Sequence, residues 1–415
     1  MHGESAGELP SPSPAAALTG LPERRRLGYT PDMTAPTIHG RCDPRFAAVR
    51  DAFAANFAAG REVGASFAAT VEGEPVVDLW GGYADAATTR PWERDTIVNV
   101  FSTTKAMTAL CAHILVDRGQ LDLDAPVARY WPEFAQAGKE RITTRHLLTH
   151  TAGLAALRRS LTTEALYDWT RMVEALAAER PWWEPGSANG YHAMTYGYLV
   201  GEVVRRITGK TLGRFLRDEV TAPLGADFHV GLAPSEDARV ADMVPPSAEE
   251  AAAAYPSKGT DPQSLSARAL NNPPLRPEVA NRPEWRQAEI PAANGHGNAR
   301  SVARVMAALA CGGRLGGVRL LGEQTIAQAI EEQRYAKDLV LGFKMRWGLG
   351  FMLTSRELPL GPNPRTFGHG GWGGSLGFAD LDARVSWAYI MNKMSPGTTG
   401  DTRAAGILAA LYGSL

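Results

Sequence analysis

Residues 99–113 read NVFSTTKAMTALCAH, with Ser102 and Lys105 three places apart. Met107, Leu110, Cys111, Ile114 and Leu115 then fall at helical spacing, and Gly119 ends the run. Residues i and i+3 share one face of a helix, so the Ser102 hydroxyl and the Lys105 amine come within reach of one hydrogen bond. A serine hydroxyl is a poor nucleophile until a base takes its proton. Lysine ordinarily titrates near ~10.4, and lowering that by about three units costs roughly 4 kcal/mol, which burial or a second cation must supply. A tyrosinate beside a charged Lys105 is the alternative base, with the same proton count. Ser102 also sits near the positive end of the helix, where its backbone N–H is free to donate to an oxyanion. Ser-x-x-Lys alone is a weak signal, because a capping serine beside a solvated lysine fits it equally well. The surrounding chain has to decide.

Working outward, Asp43-Pro44 supplies an N-cap and a first-turn proline for a helix carrying Phe46, Val49, Phe53 and Phe57, stopped at Gly60. ASFAATV (65–71) and PVVDLWGG (75–82), separated by Glu72-Gly73-Glu74, predict a hairpin. From about 120 to 240 the pattern is mostly helical, most clearly over 195–216. Nine prolines between 245 and 291 leave little room for regular elements, so 245–295 reads as a functional loop. A helix at about 301–311 follows. RWGLGFML (346–353), LGFAD (376–380) and VSWAYIM (385–391) read as strands, and a last helix covers about 402–412. Strands at both ends and helices between them predict an α/β domain built from 44–128 and 297–415, with a mainly helical domain at 129–296 inserted. Residues 1–43, rich in Pro, Ser and Gly, read as a flexible tail.

The chain has 415 residues, 44% hydrophobic and 21% charged, with a net charge of −1, which gives no general attraction to nucleic acid or acidic membranes. No apolar run approaches the roughly 18 residues of a transmembrane helix. The basic cluster Arg24–Arg26 is followed by LGYTPDMTAPTIHG, not by the apolar core of a secretion signal. Cys42, Cys111 and Cys311 lie far apart and are odd in number, which predicts free thiols in a reducing, cytoplasmic setting.

Three further stretches change the weight of Ser-x-x-Lys. FSTTK (101–105), GQLDLDAPVARYWPEF (119–134) and RHLLTHTAGL (145–154) resemble the serine hydrolases of the class C β-lactamase and penicillin-binding-protein superfamily. PGSANGYHAMTYGYLVGEV (185–203) resembles the segment carrying that family's Tyr-x-Asn motif, FGHGGWGGSLGFAD (367–380) its third motif, and IPAANGHGNARSVARV (290–305) a further typical stretch. The order is right, and the likeness spans about residues 44–415. It implies a β-lactamase-like α+β sandwich, an antiparallel sheet flanked by N- and C-terminal helices with an inserted helical domain. It also implies an acyl-enzyme on Ser102, with Lys105 and Tyr191 managing the proton. The N–H groups of Ser102 and Trp372 would form the oxyanion hole, and His369, Gly370 and Gly371 the third motif. Two departures stand out: Ala193 replaces the motif asparagine, and His369 the lysine. Both resemble the family VIII carboxylesterases. The implied activity is hydrolysis of short- to medium-chain esters, with weak or no β-lactam turnover. An acyltransferase, a β-lactam or D-amino peptide hydrolase, and a catalytically silent scaffold are the alternatives. No cofactor or metal is implied; a homo-oligomer is left open.

GGSLG (373–377) matches the G-x-S-x-G of α/β-hydrolases, but no histidine follows Ser375, so the order Ser, acid, His cannot be completed. His146 and His150 have the spacing of a zinc pair but lack the adjacent glutamate and a third ligand, which favours packing roles. His296 reads as a loop-fixing residue near the site. Trp285 and Trp347, beside motif segments, are candidates for the wall of an apolar acyl pocket.

Overall fold

The computed structural model describes residues 36–250, 261–397 and 402–415. Nine strands form one antiparallel sheet: β1 (Ile38–Cys42), β2 (Gly64–Val71), β3 (Glu74–Gly82), β4 (Arg334–Lys337), β5 (Lys344–Trp347), β6 (Met352–Leu353), β7 (Thr366–Gly370), β8 (Leu376–Asp380) and β9 (Val385–Met391), in the spatial order β1-β3-β2-β9-β8-β7-β6-β5-β4. The helices that matter for the site are α1 (Ala47–Ala58), α2 (Thr104–Asp117), α3 (Trp169–Ala178), α4 (Thr195–Thr208), α5 (Ala299–Ala310) and α6 (Thr402–Gly413).

The interior strand β9 shows why helices cover both faces. All seven of its residues are buried, and alternate side chains point to opposite sides. Ser386 donates to Ala303 O of α5 at 2.7 Å. Tyr389, of opposite parity, lies under the Arg403 guanidinium of α6 at 5.7 Å. Helix α5 packs on β2, β8 and β9, while α1 and α6 pack on each other. This is the sandwich expected from the sequence.

The predicted hairpin forms as β2 and β3, with Glu72 and Gly73 both at positive φ, the geometry of the tight turn that matches strand twist. Asp43 caps a 3₁₀ turn at Pro44–Phe46 that leads into α1, its carboxylate accepting from Arg45 N at 3.0 Å. Other expectations are corrected. Regular structure begins before residue 44: Ile38–Cys42 pairs with β3 along its whole length. The rest of the expected tail, 1–35, lies outside the described residues. RWGLGFML is not one strand, because Trp347 pairs back onto Met352. Gly350 turns the chain at φ 84° where a Cβ would meet Ala109 and Tyr196 at 2.6 Å. The helical run from 195 breaks at Gly209, in the left-handed region. Within 245–295 the chain forms short helices at Leu265–Asn271 and Pro283–Gln287 and a 3₁₀ turn at Pro277–Asn281; residues 251–260 lie outside the described ones. Pro277 and Pro283 open their turns, where a missing N–H costs nothing.

Helix α2 occupies the centre. Every residue from Thr104 to Leu115 is buried, so it has no solvent face. It packs against α4 and touches β7, placing its first turn between the helical region and the sheet.

Candidate active site

The approach to α2 is made from short pairings. Val98–Asn99 pairs with His296–Gly297, Val100 N donates to Gly295 O at 2.8 Å, and Phe101 bridges Asn294. Phe101 itself sits at φ 43°, a left-handed conformation that costs a bulky residue of order 1–3 kcal/mol. Packing holds it there: its ring lies 5.2 Å from Trp372 and 6.5 Å from Trp285. The bend makes Ser102 the half-exposed tip of a turn, just ahead of the helix instead of within it. Lys105 N closes that turn onto Ser102 O at 3.0 Å.

Lys105 follows inside and is 0% exposed. Its Nζ lies 3.1 Å from Ser102 Oγ, 2.7 Å from Ala193 O and 2.9 Å from Ala292 O. Among the described residues no carboxylate pairs with it, and burial pulls its pKa well below the ordinary lysine value. The geometry suits a neutral amine. Two N–H bonds satisfy the two carbonyls, and the lone pair is left for the Ser102 proton.

Tyr191 is 8% exposed, with Lys105 Nζ 4.8 Å from its ring centre. Its ring stacks on Trp347 at 5.9 Å and meets the His150 edge at 5.0 Å. Burial raises its pKa, and the hydrogen bond between its hydroxyl and Ser102 only partly opposes this. Burial therefore drives both members of the Lys105–Tyr191 pair toward their neutral forms.

Strand β7 brings His369 and Gly370 to the same place, and Gly371 and Trp372 follow. His369 donates from Nδ1 to Gly370 O at 2.7 Å and is neutral, its pKa pushed down to about 3 by burial and by Lys105. Gly371 is required by close approach: a Cβ there would lie 2.2 Å from Ser375 Oγ, 2.3 Å from Val100 O and 3.2 Å from Ser102 N. Neither Ser102 N nor Trp372 N donates to any atom among the described residues, so both N–H groups are left free.

The remaining sequence candidates fall as follows. Trp285 is 0% exposed, and its indole N–H donates to Asn99 Oδ1 at 3.0 Å, which places it in the core behind Phe101. Trp347, also 0% exposed, lies behind Tyr191, with His369 6.0 Å away. Ser375 is buried and donates to Val100 O at 2.7 Å, a structural tie under the oxyanion segment. His146 Nδ1 accepts from Thr143 N in a capping box at the helix Thr144–Leu148. His150 lies beyond that helix and accepts from His192 N. His296 is buried and fixes Asn294 O at 2.8 Å.

Sequence reasoning missed the carbonyls of Ala193 and Ala292, since any side chain could carry them. It also missed Asp338, which accepts the Tyr191 N–H at 2.9 Å from a turn 147 residues away.

Comparison with known proteins places the chain in a family. The Beta-lactamase family model matches residues 49–412. The chain is 36% identical over 381 residues to the Esterase/beta-lactamase LipL of Mycobacterium tuberculosis, covering 91% of this chain and 88% of that protein. A crystal structure of a family VIII carboxylesterase superposes with a TM-score of 0.86 at 48% identity, over 91% of this chain and all of that one. A penicillin-binding protein homologue from Caulobacter crescentus gives a TM-score of 0.85 at 44% identity, over 91% of this chain and 100% of that one. The chain belongs to the beta-lactamase family.

Proposed function

We propose that the protein is a serine carboxylesterase acting on short- to medium-chain esters through an acyl-Ser102 intermediate. The observation that carries this is Lys105: buried, without an acidic partner among the described residues, both N–H bonds satisfied by carbonyls and Ser102 Oγ at 3.1 Å. As Ser102 Oγ bonds to the ester carbonyl carbon, its proton passes to Lys105 Nζ. The carbonyl oxygen gains negative charge between the N–H groups of Ser102 and Trp372, whose loss typically costs about 10²–10³ in rate per donor. Collapse breaks the bond to the alcohol oxygen, and the proton on Lys105 returns to it by way of the Tyr191 hydroxyl. Water then attacks the acyl-enzyme, giving its proton to the same pair; Ser102 recovers a proton and the acid leaves.

Esters are favoured over β-lactams by what the site lacks in fixed charge and side-chain amides. Ala193 contributes only its carbonyl, and that is taken by Lys105. His369 is neutral, with its one N–H donated to Gly370. Neither offers a cation for a substrate carboxylate. The substrate is thus a small uncharged ester. Among the described residues no helix is long and apolar enough to cross a membrane. Cys42, Cys111 and Cys311 are free, which suits a reducing, cytoplasmic compartment.

The test is turnover of p-nitrophenyl acetate, butyrate and octanoate beside a chromogenic cephalosporin, with Ser102→Ala in parallel. Ester turnover lost in the variant, with little cephalosporin cleavage, is expected. Cephalosporin turnover faster than that of any ester would overturn the assignment.

A further inference from the structure

We infer that Asp338 is a positioning residue that holds the catalytic Tyr191 in place from the turn joining β4 and β5; this rests on the esterase mechanism proposed above. The turn Asp338–Phe343 is closed by its own backbone, Asp338 N donating to Phe343 O and Gly342 N to Asp338 O, both at 2.9 Å. An aspartate opening such a turn ordinarily accepts the N–H groups just ahead of it, and Asp338 Oδ1 does so from Val340 at 2.9 Å and Leu341 at 3.0 Å. Those two bonds would suffice for the turn. The same carboxylate reaches further. Oδ1 also accepts the Tyr191 N–H at 2.9 Å, and Oδ2 the Asn189 side-chain amide at 2.9 Å. Leu339 N completes the seam by donating to Asn189 O at 2.9 Å.

Asp338 is 0% exposed and forms no ion pair among the described residues, so four N–H donors alone offset its desolvation. A buried carboxylate is a costly way to close a surface turn. It is intelligible as a clamp, because two of its four donors belong to the loop that presents Tyr191. The same hairpin grips Tyr191 a second time: Trp347, at the end of β5, stacks parallel to the phenol ring, with an interplanar angle of 7°. Backbone and ring of Tyr191 are thus both set from one hairpin, while its hydroxyl is left to Ser102. The negative charge of Asp338 also adds to what keeps the phenol protonated.

Geometry and charge are separable. Asn189 Oδ1 is buried without a partner among the described residues. In Asp338→Asn the new amide can donate to a flipped Asn189 while its oxygen keeps the three backbone N–H groups. That variant removes charge and retains the clamp; Asp338→Ala removes the clamp. Misplacing a reacting group by about 1 Å can cost 10²-fold, so Asp338→Ala should lower kcat for p-nitrophenyl butyrate by about 10- to 100-fold. KM should stay within about twofold, since binding contacts are untouched. Labelling of Ser102 by a fluorophosphonate should slow in parallel, and Asp338→Asn should restore both rates to within about threefold of wild type.

A folded Asp338→Ala enzyme with wild-type kcat and labelling rate would overturn the inference. Asp338→Asn as slow as Asp338→Ala would also overturn it, by showing that charge and not position matters. Should Asp338→Ala fail to fold, Asn189→Ala removes one arm of the clamp; a kcat loss of about threefold or more supports the inference, and unchanged kcat refutes it. Wild-type labelling without ester turnover would sink the esterase assignment alone, and the labelling rates would still test the clamp.

Discussion

Replacing Lys105 by methionine keeps the length of the side chain and removes the base. In the folded protein burial, with no carboxylate paired to it among the described residues, pulls the amine's pKa well below its ordinary value, whereas in the unfolded chain it carries its ordinary proton. As the neutral base of the proposed mechanism, Lys105 gives up its proton on folding, which for a group that titrates near ~10.4 costs roughly 4.6 kcal/mol at about pH 7. Methionine escapes that cost. It also leaves the buried carbonyls of Ala193 and Ala292 without a donor, at about 1–3 kcal/mol each. The two effects largely cancel, so Lys105→Met should lie within ~3 kcal/mol of wild type at about pH 7 while losing about 10²–10⁴-fold in ester turnover.

The pH dependence of that difference is diagnostic. Stability rises with pH wherever the unfolded state binds more protons than the folded one. Lys105 meets that condition from its depressed folded pKa up to the unfolded value near ~10.4. Its penalty is absent above the unfolded pKa and grows by about 1.4 kcal/mol per pH unit as the pH falls, levelling off only below the folded pKa. Between about pH 7 and pH 9 wild type should therefore gain ~2.7 kcal/mol over Lys105→Met, all other titrations being shared. Urea unfolding of both proteins at each pH measures this. An unchanged difference would mean that Lys105 keeps its proton when folded, and its assignment as base would fall. An ammonium–tyrosinate pair releases the same number of protons, so an ultraviolet difference spectrum of wild type against Tyr191→Phe is needed beside it. A phenolate band at neutral pH would move the base to Tyr191.

Tyr191→Phe should retain the fold and lose about 10²–10³ in kcat/KM for p-nitrophenyl butyrate, the range expected when a positioned proton carrier is removed; wild-type turnover would show that Lys105 returns the proton unaided. Gly371→Ala must move either Val100 or the chain after β7, because its Cβ would meet Val100 O at 2.3 Å. It should lower both the melting temperature and the acylation rate, seen by calorimetry and phosphonate labelling. Ser375→Ala should cost only about 0.5–1.5 kcal/mol of stability, since Val100 O loses one donor but keeps the Thr103 N–H, and should still be labelled at Ser102. Loss of labelling there with labelling intact in Ser102→Ala would reverse the choice of nucleophile.

The parts of this site legible in the sequence are those where a side chain announces both its own structure and its chemistry. The turn after Val71 carries its glycine, and Ser102 and Lys105 stand at the head of an apolar helical run, where spacing located the pair and the motifs further along the chain gave it weight. What escaped the sequence depends on which atoms meet across long separations. Lys105 is fixed beside Ser102 because Ala193 and Ala292 turn their carbonyls toward it, and no alanine side chain reports that. Trp285 and Trp347 look alike beside their motifs, yet one indole N–H is spent on Asn99 and the other ring lies flat against Tyr191. The β4–β5 hairpin was invisible for a further reason. RYAK and KMRW alternate weakly, and the glycines at 348 and 350 joined β5 to β6 in the eye while separating them in the structure. Asp338 sits in that unseen turn with no motif around it. A residue that acts by holding the backbone of another leaves no mark of spacing or composition, and only the fold shows that the turn and the Tyr191 loop are one unit.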